Sequence, residues 1–173
     1  EALRSIDLSS FDTSHVTDMS SMFSNCGSLQ SIDLSGFDTS HVTDMTAMFY
    51  IWDNLESIDL SGLATSHVAS MYAMFAYCPK LKSLDLSDLD MSSVTNVRRM
   101  FGDCHGLTGI GTGSLHMPNA ERTENMFENC NSLARPIEVR SKSTETETTR
   151  PLPSMPFETT DSKDCARTTP SLT

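Results

Sequence analysis

The chain has 173 residues, 38% of them hydrophobic and 7% aromatic, and a formal net charge of −11. That acidic balance argues against a nucleic acid or an anionic membrane as partner, where a basic face is expected. No apolar run approaches the length of a spanning helix, so direct membrane insertion is not expected.

One repeat dominates the chain. Residues 6–19 read IDLSSFDTSHVTDM and residues 32–45 read IDLSGFDTSHVTDM, differing only at Ser10 against Gly36. The same 26-residue step carries Leu3, Leu29, Leu55, Leu81, Leu107 and Leu133 without an insertion. Met-Phe pairs keep the step from Met22-Phe23 to Met126-Phe127. Cys26, Cys78, Cys104 and Cys130 follow those pairs, with Trp52 in the open slot. One such unit is too small to bury its own apolar face, so neighbouring units must cover each other, and three or more are needed. Each copy is read as one coil of a stack, with like side chains in columns.

Within a coil the elements follow a fixed order. Ser31, Asp33 and Ser35 alternate with Ile32 and Leu34, the period-two pattern of a strand with one buried face. A turn cluster follows, from which Phe37 alone can reach inward, and then a second short extended piece at His41-Val42-Thr43. Met45, Met48 and Phe49 fall at i, i+3 and i+4, which predicts a short helix with Thr43 or Asp44 as N-cap. In the first coil Gly27 is the expected residue just past that helix. The third coil departs from the pattern at Trp52 and at Ala64, which replaces an aspartate. The fifth loses the IDLS word and carries Gly109, Gly111 and Gly113 instead, wear expected at the end of a stack.

Residues 1–136 hold the five coils. Residues 137–173 hold nine Thr, five Ser and four Pro, with Phe157 as their one aromatic. So little apolar surface cannot offset the entropy of ordering, and this stretch is expected to be a disordered tail or linker. The chain starts at Glu1, inside a repeat and without Met, and is read as a fragment of a longer protein.

Several columns are candidates for chemistry. Asp7, Asp33, Asp59 and Asp85 stand on the exposed strand face. With Ser31, Ser35, Ser57 and Ser61 beside them they form the candidate interaction face. Hard cations want several oxygens, so calcium is the functional alternative there. Calcium loops crowd their ligands into one turn, whereas these stand one per coil, and a solvated acidic ladder without a fixed ion is the expectation. His15, His41 and His67 form a second column, read as solvated loop histidines and not as transition-metal ligands. The threonine rows Thr13, Thr39, Thr65 and Thr17, Thr43 raise an ice-binding or carbohydrate-binding alternative. A carbohydrate site would want exposed aromatics, and Tyr50, Tyr72 and Tyr77 lie beside the predicted helix. The cysteines lack the short paired spacing of a zinc site and read as buried small apolar residues. A disulfide between Cys78 and Cys104 would require Cα atoms within roughly 7 Å. No nucleophile-elbow, zinc-protease or phosphate-loop motif occurs, so no catalytic residue, metal or cofactor is expected.

The pattern LxSIDLSxFDTSxVTDMxxMFxxCxxL, over about 1–134, closely resembles the BspA-like bacterial surface leucine-rich-repeat family in its DUF285-type repeat. The resemblance implies a secreted or surface-anchored bacterial protein, with adhesion to host matrix proteins and to other cells among the family's associations. It supplies no catalytic residues. The expected fold is α/β: a right-handed, leucine-rich-repeat-like solenoid with one short parallel strand and one short helix per coil. The expected function is a non-catalytic protein-interaction or adhesion module at the cell surface. A structural stalk, or a repeat face for carbohydrate or calcium, is the alternative.

Overall fold

The apolar columns of the repeat bury one another. In the computed structural model, which describes residues 4–111, 114–142 and 144–149, Leu29, Leu55, Leu81 and Leu107 are fully shielded from solvent. So are Val42, Val68, Val94 and Ala120 of the valine column. Phe23, Phe49, Phe75, Phe101 and Phe127 form a continuous ring stack, with centroids 5.9, 5.3, 5.7 and 5.2 Å apart and planes within 14° of parallel. Trp52 stacks on Phe49 at 5.5 Å, and its indole N–H donates to the Cys26 carbonyl of the preceding coil. It thereby keeps the donor role of the cysteines whose column it interrupts. Cys78, Cys104 and Cys130 are buried free thiols that donate to the Phe49, Phe75 and Phe101 carbonyls at 3.3, 3.0 and 3.0 Å.

The expectation of one helix and one strand per coil is overturned. No helix occurs among the described residues. The segment around Met45, Met48 and Phe49 is a run of turns instead, and its hydrogen bonds explain why. The N–H groups of Met45, Ala47, Phe49 and Ile51 donate to the Ser70, Tyr72, Met74 and Ala76 carbonyls of the next coil, at 2.8–3.0 Å. The N–H groups between them, those of Met48 and Tyr50, close short turns onto Met45 and Ala47. A helix would have used all of these donors along its own axis. Here every second donor is committed to the neighbouring coil. The backbone reaches that geometry through two left-handed residues per coil. One column is Ser21, Ala47, Ala73, Arg99 and Asn125; the other is Asn25, Ile51, Tyr77, Asp103 and Asn129. Their φ values lie between 51° and 63°. In the first coil the left-handed position is Asn25 and not Gly27, whose lack of a Cβ instead accommodates the Asp53 carboxylate, 3.0 Å from where that atom would stand.

Regular strands are equally sparse. Among the described residues, the expected strand face forms paired strands only between the fourth and fifth coils, as β1 (Ser83–Leu84) parallel to β2 (Gly109–Ile110). Single parallel bridges link Asp18, Asp44, Ser70, Asn96 and Arg122 down the whole stack. The parallel sense expected from the repeat is therefore present, but the extended run is not. In the first three coils Ile6, Ile32 and Ile58 are only partly covered or exposed, and the chain bends at each Asp-x-Ser.

Beyond the coils, β3 (Ser114–Met117) pairs in parallel with β4 (Ile137–Ser141), which pairs antiparallel with β5 (Thr144–Thr149). Leu115, Met117, Ile137 and Val139 are buried together at this end of the core. The sequence reading set its boundary at 136, and β4 and β5 lie past it. The rest of the expected tail, 150–173, lies outside the described residues.

Candidate functional site

The aspartate columns lock turns. Asp7, Asp33, Asp59 and Asp85 each accept the backbone N–H two residues on, from Ser9, Ser35, Ser61 and Ser87, at 2.9–3.0 Å. Asp12, Asp38 and Asp90 do the same for Ser14, Ser40 and Ser92, and Asp18 and Asp44 for Ser20 and Thr46. This is the local side-chain turn that aspartate favours. Hydrogen bonds from the serine hydroxyl and amide hold the Asp7 and Asp33 carboxyls below the ordinary value of 3.8. The serine amide, then the hydroxyl, hold Asp59 and Asp85 below it too. The carboxylates are exposed, and among the described residues no group of three or more His, Cys, Asp or Glu side chains is placed to hold a metal ion.

Of the predicted interaction face, the structure brings Asp7, Asp33 and Ser35 together around one hollow of about 370 Å³, lined also by Ile6, Leu8 and Phe37. Asp59, Ser61 and Asp85 continue the column as separate turn locks, while Ser31 and Ser57 are exposed beside it. The column stops at Gly111 for a steric reason. A Cβ there would sit 2.7 Å from the Asp85 carboxylate and 3.1 Å from its Cα. The worn fifth repeat is thus a fitted one.

Of the two threonine rows, Thr17 and Thr43 are exposed and the other is internal. Thr13, Thr39 and Thr65 are buried, and their hydroxyls donate to the carbonyls of Asp38, Ala64 and Asp90 in the next coil at 3.0 Å. The Thr13 and Thr39 hydroxyls also accept the Asp38 and Ala64 amides at 2.8 Å. These groups clamp coil to coil and present no hydroxyl ladder to a ligand. His15, His41 and His67 are exposed, each with Nδ1 3.0–3.2 Å from the hydroxyl of the preceding serine.

A second concavity escaped the sequence reading. A trough of about 580 Å³ runs across the first four coils on the turn face. Its small side chains are Ser24 and, as successive members of one left-handed column, Ser21, Ala47 and Ala73. Tyr50 and Tyr77 meet edge to face at 5.4 Å, and Tyr72, Arg98 and Arg99 complete the lining. Desolvation, reinforced by the Asp103 charge, raises the Tyr77 phenol above its ordinary value, so that it stays a neutral hydroxyl. Arg99 is already engaged, with Asp103 at 2.9 Å and Glu128 at 3.1 Å. Arg98 forms no ion pair among the described residues, and its Nε is buried without a hydrogen-bond partner. The sequence signal was available: writing the Met-Phe segments in 26-residue columns places small residues beside Tyr and Arg. Reading those segments as helices scattered the same residues around a cylinder.

A family model described as "Mycoplasma protein of unknown function, DUF285" matches the chain twice, over residues 2–84 and 25–141. No curated protein and no solved structure is matched by the chain.

Proposed function

The chain belongs to the DUF285 family, whose function is unknown, and from that premise we propose that it is a non-catalytic protein-interaction module. The observation that carries this reading is the trough. Tyrosine and arginine are among the side chains most enriched at the energetic centres of protein interfaces, and small neighbours let a partner approach closely. Tyr50, Tyr72, Tyr77 and Arg98 gather in one hollow on a rigid stack, where no loop has to be ordered on binding. The aspartate face is a weaker candidate, because its carboxylates already serve their own turns. The likeness of the repeat words to BspA-like surface proteins supports a bacterial cell-surface setting, with a host matrix protein or another surface protein as partner.

The test is binding of a solubilised host-matrix preparation to immobilised protein. A Tyr50→Ser/Tyr77→Ser double variant is expected to lose binding by roughly tenfold or more, the scale of a lost interface centre. Asp33→Asn/Asp59→Asn is expected to bind as the parent does. Equal binding by the parent and the tyrosine variant, with both folded, would sink the proposal and favour a stalk.

A further inference from the structure

Resting on that reading, we infer that the trough receives an acidic side chain of the partner protein, with Arg98 as the receptor for its carboxylate. Of the two charged side chains in the trough, one is uncommitted. Arg98 lines the trough and forms no ion pair among the described residues, whereas the adjacent Arg99 is satisfied by Asp103 and Glu128. A guanidinium matches a carboxylate as a planar two-pronged donor, which gives such a pair both strength and direction.

The backbone excludes the competing peptide-binding mode. The Ala47, Ala73 and Tyr77 amides in the trough donate to the Tyr72, Arg98 and Gly102 carbonyls at 2.8–3.0 Å. No free edge remains there for a partner strand to pair with, so recognition falls to side chains. The tyrosine rings supply apolar walls, and the column of Ser21, Ala47 and Ala73 leaves room for the incoming chain.

The overall charge sharpens the choice. With a net charge of −11 the chain repels an acidic segment from most of its surface. Arg98 offers such a segment a favourable seat within the trough. Repulsion elsewhere then fixes the register of docking, the repulsive half of specificity.

The probe is a short fluorescent peptide of alternating Glu and Ala, with its Gln counterpart as control, titrated against the full chain by fluorescence anisotropy. The Glu peptide is expected to bind roughly tenfold tighter than the Gln peptide. Arg98→Gln is expected to abolish that preference. Arg122→Gln, an exposed arginine outside the trough, is expected to keep it. Circular dichroism melts establish that both variants fold. Equal binding of the two peptides to the parent, or an Arg98→Gln variant that keeps the preference, overturns the inference. So does a uronic-acid polysaccharide that outcompetes the peptide and loses its own binding with Arg98→Gln, which would make the ligand an acidic glycan. If the tyrosine variant loses matrix binding while charge on the peptide makes no difference, the interaction module stands and only the acidic ligand falls.

Discussion

Ile51 holds a φ of 55°, and it is the one β-branched residue in either left-handed column. The left-handed conformation costs an L-residue roughly 1–2 kcal/mol, least for Asn and Gly. Asn25 and Asn129 occupy the same column in the first and fifth coils. Ile51→Asn is therefore expected to stabilise the fold by about 1 kcal/mol. Urea denaturation measures this, and a drop in the midpoint would show that Ile51 packing outweighs the strain. The aspartate locks make a second statement at this scale. Asp33 and Asp59 are held below the ordinary 3.8, so the folded state binds fewer protons than the unfolded chain near that pH. Their contribution is complete well above pH 3.8 and is lost as pH falls through the lowered folded values. Asparagine keeps the acceptor and discards the titration. Asp33→Asn/Asp59→Asn should melt somewhat below the parent at neutral pH, where the ionised carboxylates hold the serine groups more strongly, and like it at about pH 3, where the carboxylates lose their charge. A variant that melts like the parent at both would mean that a neutral acceptor holds the turns as well as the charge does.

At the scale of the element, the coil is held by column contacts that no helix or strand label describes. Thr39 bridges coil to coil through both ends of its hydroxyl. Thr39→Val keeps the shape and strands the Ala64 amide and carbonyl, at a cost of roughly 1–3 kcal/mol. Phe49 is fully buried between the rings of Phe23 and Phe75 and beside Trp52, so Phe49→Ala should cost roughly 3–5 kcal/mol. A thermal melt matching that of the parent would refute either assignment. The inward direction of Met45, Met48 and Phe49 was legible in the sequence, because burial follows periodicity whatever the backbone does. The helix was not, because the spacing i, i+3, i+4 also suits a chain of turns whose alternate donors point to the next coil. The same holds for Asp33. Its exposure was legible, whereas its capture of the Ser35 amide broke the strand that alternation suggested. The trough stayed hidden for a related reason, since Tyr50, Tyr72 and Arg98 share a hollow only once the segments are flattened against one another.

For the whole molecule, the far end matters most. Low apolar content made residues after 136 look unable to pack, yet Ile137 and Val139 are enough to cover the last coil because β3 offers them a partner strand. Composition averages over a segment, and two well-placed side chains vanish in the average. Each such burial contributes about 1.5–3 kcal/mol. A chain ended after residue 136 is therefore expected to melt several degrees below one ended after residue 149, and identical melts would show that β4 adds nothing to the core.

The coil-to-coil bonding also has a mechanical meaning. Amides of one coil are tied to carbonyls of the next, so a pull along the chain loads the coils in series and peels them one at a time. Each 26-residue coil would pay out about 90 Å of chain as it lets go. Stretched between two anchors, the module would behave as an extensible tether. Its force–extension trace would be a sawtooth of equal teeth, each marking one turn of the repeat.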